Sequence, residues 1–170
     1  VLGNHDYGEY TSWKSNEEKN RNFKNLLKAQ KEFGWNLLLN ENDTISVDGN
    51  KIKVIGVENW ASSRFQQYGD LDKAYNGLNN EDFKILMTHN PSHWNAKVTD
   101  AYNDIDLTLS GHTHGLQYGI DIGDFRVSPV RLAYKQWADL YELNKQYIYV
   151  NRGFGFMGYP GRVGILPEIT

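Results

Sequence analysis

The sequence predicts a layered α/β fold, and three observations carry that prediction. Two compact apolar runs, 83–88 and 105–110, each end on a chemistry-bearing residue, His89 and the pair Gly111-His112. A capped amphipathic segment stands near the start. The second half then changes texture to short alternating stretches joined by tight turns. Sites in open α/β folds gather at the carboxyl ends of strands. This organisation therefore brings His89, His112 and His114 to one edge of one sheet.

Each element has its own signal. Ser15 and Glu18 read as a capping box. Phe23, Leu26, Leu27 and Gln30 follow at helical spacing and Gly34 stops the pattern, which predicts a helix over 16–33. Residues 35–39 form a short apolar run, read as a strand. The runs 44–47 and 51–57 flank Asp48-Gly49-Asn50, a hairpin signal. Residues 59–80 are polar and irregular, with a helical turn near 71–75. After the strand 83–88, a short helix is expected over 91–98, and 105–110 is a second buried strand. Beyond His114, 116–122, 138–143 and 147–151 read as strands, with Asn144-Lys145 as a turn. The Gly- and Pro-rich stretch 153–167 reads as loop, and 166–170 as the start of a strand. Val1-Leu2 reads as the end of a strand that delivers Asn4. With no internal repeat, low-complexity tract or linker, residues 1–170 are expected to form one domain.

Bulk properties exclude several classes. Hydrophobic residues are 39% and aromatics 14% of the 170 residues, enough for a sizeable core. The net charge is −3, and Lys and Arg are scattered rather than striped, which gives no nucleic-acid footprint. The basic residues between 19 and 31 alternate with polar and apolar ones along a solvated helix face. No apolar run is long enough for a transmembrane helix, and no secretory signal is visible. With no Cys, disulfides and thiolate metal sites are excluded.

The chemistry lies in Gly3-Asn4-His5-Asp6, His89, and Gly111-His112-Thr113-His114. Neutral imidazoles suit Mn, Fe or Zn, and amide or carboxylate oxygens complete harder sites. Two such ions about 3.5–4 Å apart clamp a phosphoryl group and generate hydroxide at neutral pH. His5, with Asp6 beside it, suits the acid that the leaving oxygen needs. Each motif alone also fits a surface loop, and His5-Asp6 alone fits a plain turn; the three together favour the site. His93, beside Trp94, reads as packing or as a donor behind the site. Asn90 reads as a strand-end residue. Asn59, Trp60 and Arg64 either face substrate or form a surface loop anchored by the Trp. Arg152 either counters a phosphate or makes a structural ion pair. Phe154, Phe156 and Tyr159 are read as covering a core edge rather than meeting lipid. Trp137, Tyr141, Tyr147 and Tyr149 read as core and cross-strand pairs.

These motifs, in this order, resemble the calcineurin-like metallophosphoesterase superfamily. His89-Asn90-Pro91 and Gly115-Leu116-Gln117 are close to the family's usual His-Asp-Pro and Gly-Gly-Gln. Residues 151–155 and 167–170 resemble the tail of its bacterial, often membrane-associated branch, which includes phosphodiesterases and lipid A precursor pyrophosphatases. The resemblance implies a four-layer α/β sandwich of two mixed sheets flanked by helices, with N-terminal strands missing from this chain. It implies hydrolysis of a phosphomonoester, phosphodiester or pyrophosphate through a metal-bridging hydroxide. Asn4, His89 and His112 would hold the second metal and His114 the first. His5 would protonate the leaving group, with Asp6 orienting it. The family's earlier Asp-x-His and Gly-Asp motifs supply the other ligands, and no Asp-x-His tripeptide occurs here. The expectation is therefore two divalent ions (Mn, Fe or Zn) in the whole enzyme, one or none in this chain, and little activity from the chain alone. The competing reading is a non-catalytic module that binds a phosphate or a partner with one metal or none. A closed structural metal site is disfavoured without Cys. A small-molecule or lipid-linked phosphoester, no nucleic acid, and either self-association or a retained N-terminal fragment complete the expected partners. A bacterial cytoplasm or membrane surface is implied by resemblance alone.

Overall fold

A computed structural model describes residues 1–62, 66–79, 81–123 and 125–170. Helix α1 (Asn16–Glu32) comes first, then strands β1 (Glu41–Val47) and β2 (Asn50–Gly56) and a short helix α2 (Leu71–Tyr75). Strand β3 (Phe83–Met87) leads through a π-helical turn (Trp94–Val98) and a helical turn α3 (Thr99–Ala101) to β4 (Leu107–Ser110). A small ribbon of β5 (Ile120–Ile122) and β6 (Phe125–Val127) follows, and β7 (Asp139–Leu143) and β8 (Gln146–Val150) close the order. The six-stranded mixed sheet runs β1-β2-β3-β4-β8-β7, with β5-β6 as a second small sheet, in an α/β sandwich.

The sheet's centre is parallel. β2, β3, β4 and β8 all point the same way, while β1 and β7 join antiparallel at the two edges. Both edge strands enter through two-residue turns. Asp48-Gly49 lies between paired Val47 and Asn50, and Asn144-Lys145 between paired Leu143 and Gln146. All four turn residues have positive φ, between 49° and 82°, the type I′ geometry that matches strand twist.

One face of the sheet carries the main core. Ile55, Val57, Leu86, Ile148 and Val150 pack on Leu71 and Ala74 of α2 and on Trp94, Val98 and Ile105. On the other face Val54, Ile85 and Leu109 are only half-buried, and Phe83 and Tyr147 are exposed. A second cluster, Val130, Trp137, Ala138 and Ile165 with Tyr134 against it, supports the loops above β4.

Helix α1 begins as expected, with Ser15 Oγ accepting the Glu18 N–H at 3.3 Å. Glu18 accepts from Lys14 rather than from Ser15, so the reciprocal bond is displaced by one residue. The helix ends in a Schellman motif at Gly34 (φ +80°), with Gly34 N bonded to Lys31 O and Trp35 N to Gln30 O. None of its residues is fully buried; a stack of Phe23 on Tyr7, centroids 5.4 Å apart, ties it to the body.

Three sequence readings are corrected. Residues 35–39 form no strand: the run exists to bury Leu38 against Gly56, where an added Cβ would lie 2.2 Å from Leu38 Cβ. The expected strand 116–122 is reduced to β5, because His114, Gly115, Leu116 and Gln117 all take positive φ and coil the chain into a tight turn. Residues 166–170 pair with no strand among the described residues; they are held by Glu168, which accepts from Arg152 Nε at 2.7 Å. Among the described residues no helix is long and apolar enough to cross a membrane.

Candidate metal centre

The parallel strands β2, β3, β4 and β8 share a carboxyl edge, and the site is built there. β3 runs through Thr88 into His89. β4 runs through Gly111 into His112, and Gly111 N–H donates to His89 O at 3.0 Å, which locks the two strand exits side by side. Ser110 Oγ donates to the same carbonyl at 3.0 Å. The N-terminal segment crosses above them with Leu2 fully buried. Gly3 lies so close to His89 that a Cβ there would meet the ring Cε1 at 2.7 Å. This close approach delivers Asn4 to the two histidines.

Three lone-pair atoms then converge. His89 Nε2 is 2.9 Å from Asn4 Oδ1, His112 Nδ1 is 3.0 Å from the same oxygen, and the two ring nitrogens are 3.1 Å apart. Donors at right angles on metal bonds of about 2.1 Å lie about 3 Å from one another, so this triangle fits one face of a coordination shell. Asn4 Nδ2 donates to Tyr10 Oη at 2.9 Å, which turns the amide oxygen toward the rings. Burial, assisted by His112, His114 and His5, pushes the His89 pKa down to about 3. Burial, with His114 and His5, pushes that of His112 down to about 4. Both rings are therefore neutral at pH 7 and hold lone pairs for a cation. Among the described residues no group of three His, Cys, Asp or Glu side chains converges as a metal site; the third corner of this one is an amide.

His114 is held separately. It has φ +51°, and its Nδ1 is buried without a hydrogen-bond partner among the described residues. Burial, then Arg162 and His5, lowers its pKa. Left-handed backbone at His112 (φ +70°) and His114 costs on the order of 1–3 kcal/mol each, a cost typical of functional loops. His5 is exposed and stacks on Tyr10, centroids 4.4 Å apart. Asp6 gives its carboxylate to the Gly3 N–H at 2.7 Å, and no hydrogen bond joins it to His5 among the described residues. Asn4, His5, Asp6, His89, His112 and His114 all line one open cleft of about 940 Å³. Its other wall is apolar, with Leu116, Val130, Phe156 and Met157.

The remaining candidates fall elsewhere. Asn59 is buried and donates to Gln66 O at 3.1 Å, and Trp60 stacks on His93 at 4.5 Å; neither lines the cleft. Arg64 lies outside the described residues. Asn90 is buried, and its Oδ1 accepts the Ser92 N–H at 2.9 Å. Arg152 is engaged by Glu168 and Asp121 in ion pairs. Phe154 and Tyr159 are exposed rather than covering a core edge, and Phe156 faces the cleft. Two residues at the site have no sequence signal: Tyr10, which holds Asn4, and Tyr134, whose Oη is 2.9 Å from His112 Nε2. Each is one Tyr among eleven, outside any motif.

The calcineurin-like phosphoesterase pattern matches residues 1–116, a span that holds all six cleft residues named in the sequence. An uncharacterised metallophosphoesterase of Bacillus subtilis, YkuE, is 31% identical over the whole chain, which covers 53% of that protein. A bovine transmembrane protein with a metallophosphoesterase domain is 30% identical, again over the whole chain and 37% of its own length. An uncharacterised metallophosphoesterase of Campylobacter jejuni is 34% identical over 83% of the chain and 35% of its own length. The chain thus spans about half or less of the length of these relatives. No solved structure matches. With its motifs gathered in one cleft and the family pattern covering more than half its length, the chain belongs to the calcineurin-like phosphoesterase family.

Proposed function

We propose that this chain carries part of the active centre of a divalent-metal-dependent phosphoester hydrolase. The observation that carries the reading is the triangle of Asn4 Oδ1, His89 Nε2 and His112 Nδ1; membership of a phosphoesterase family supports it. Asn4, His89 and His112 would hold one ion, and His114 would contribute to a second. When bound, such ions supply Lewis-acid charge to phosphoryl oxygens and activate water at neutral pH. Mn, Fe and Zn all suit this donor set. His5, exposed in the cleft on the same turn as Asn4, is the proposed proton donor to the leaving oxygen. Asp6 supports it through the backbone of that turn, by way of Gly3. The apolar wall suits the organic part of a small or lipid-linked phosphoester.

The donor count supports a finer statement. One cluster in this chain offers three donors, whereas His114 stands apart with an unpartnered Nδ1. We infer that the chain alone retains one ion and turns over slowly. The half-covered sheet face favours self-association or docking of a further segment. The first test is metal content per chain after loading with manganese and zinc and desalting, for wild type and for Asn4→Ala with His112→Ala. About one ion in the wild type and none in the variant is expected. Equal retention by both would overturn the assignment, and two tightly held ions would overturn the count. Hydrolysis of a generic aryl phosphodiester, lost with the metal, distinguishes the enzyme from a binding module.

A further inference from the structure

We propose that Tyr134 is the positioning residue for His112, anchoring the ring at Nε2 so that Nδ1 faces Asn4 and His89. The inference rests on the metal-centre reading above for its consequence, but its geometry stands independently. Tyr134 Oη lies 2.9 Å from His112 Nε2, the nitrogen that points away from the triangle. The two rings meet edge-on, with centroids 5.5 Å apart and planes at 76°. The phenol ring is fixed from behind by the Val130, Trp137, Ala138 and Ile165 cluster. Tyr134 lies beyond residues 1–116, so the family pattern does not assign it.

The proton arrangement follows from the acceptors. Asn4 spends its amide N–H on Tyr10, so its Oδ1 is an acceptor only. His89 Nε2 and His112 Nδ1 approach that oxygen at 2.9 and 3.0 Å and each other at 3.1 Å, so without a cation at least one of the two carries a proton there. With the proton on His112 Nδ1, Nε2 is an acceptor and the Tyr134 hydroxyl donates to it. A cation at Nδ1 needs the lone pair there, and the ring proton must sit on Nε2. A hydroxyl is both donor and acceptor, so Tyr134 rotates to accept the Nε2–H and keeps the ring aimed in both states. Coordination polarises that N–H and strengthens its hydrogen bond, which is why partners behind a metal-bound histidine typically carry 10–100-fold in affinity.

Tyr134→Phe removes one oxygen and keeps the packed ring. In the metal-free chain at pH 7, NMR should show nuclear Overhauser contacts from the His112 ring to Asn4 in wild type and their weakening in the variant, as the ring loses its anchor. In the zinc-loaded chain the Nε2–H proton should be protected from exchange in wild type and exposed in the variant. Zinc affinity by calorimetry should fall about 10–100-fold, with the metal-free melting temperature little changed. Tyr134→His, which can again donate or accept a proton, should recover part of the affinity. Unchanged His112–Asn4 contacts in wild type and Phe variant overturn the proposal whatever the metal result. Weakened contacts in a chain that takes up no zinc support it and overturn the metal-centre reading instead.

Discussion

Acid should destabilise this protein through a histidine outside the metal triangle. His93 is fully buried, its Nδ1 is 3.0 Å from Thr88 Oγ1, and its Nε2 has no hydrogen-bond partner among the described residues. Burial, with the Lys97 charge adding, pushes its pKa down to about 3. The folded state therefore keeps it neutral down to that value, while the unfolded chain takes up the proton below about 6.5. Its contribution is intact above pH 6.5 and is lost as pH falls from there toward 3. Integrating the proton difference from pH 7 to pH 5 gives about 2 kcal/mol, or about 4–8 °C in melting temperature for a chain of this size. His89 and His112 shift in the same direction, so a comparison is needed to isolate His93. His93→Phe keeps a ring against Trp60 and removes the orphan nitrogen, at a cost of about 1 kcal/mol for the lost Thr88 bond. Urea unfolding with a chelator present, at pH 7 and pH 5, should show wild type losing about 2 kcal/mol more than the variant. Equal losses would mean that His93 charges freely inside the fold, and the burial argument would be refuted.

Other outcomes test separate links. In wild type, manganese or zinc at a hundredfold excess over Kd should raise stability by about 2.7 kcal/mol; the same titration on Asn4→Ala should show little rise. Gly3→Ala should cost about 1–3 kcal/mol by overpacking and should also weaken metal retention, because its Cβ would drive into the His89 ring; unaltered retention would show that the ring has room to move. Lys84 is fully buried, with Nζ 3.0 Å from Asp104 and 3.1 Å from the Asp82 carbonyl, at the strand end opposite the site. Lys84→Ala should cost about 3 kcal/mol without altering zinc affinity, and a large affinity change would contradict that separation.

Much of the site was legible in the sequence because it is local in the chain. Gly3-Asn4-His5-Asp6 and Gly111-His112-Thr113-His114 are contiguous, and strand-end placement followed from the compact apolar runs before His89 and Gly111. The helix and both tight hairpins were legible for the same reason, since a cap, a Gly stop or a two-residue turn acts over a few residues. The failures came where a partner distant in the chain decides. Residues 35–39 have the composition of a strand but no ladder to join, and Leu38 is drawn instead to Gly56. Residues 116–122 read as strand, but left-handed backbone over 114–117 leaves only β5 of it. Arg152, which the sequence left open between a phosphate and a structural ion pair, is decided the same way, by Glu168 and Asp121.

By itself, then, the sequence determined the residue types of the chemistry, their order and the strand ends that carry them, since these depend on short-range pattern. Only the tertiary structure decided that Asn4 Oδ1 and two ring nitrogens stand about 3 Å apart, that their rings are desolvated enough to stay neutral, and that Tyr10 and Tyr134 hold the set from outside. Those facts come from contacts spanning 6, 22, 23, 85 and 108 residues. Most exist only once the sheet has brought its carboxyl ends to one edge.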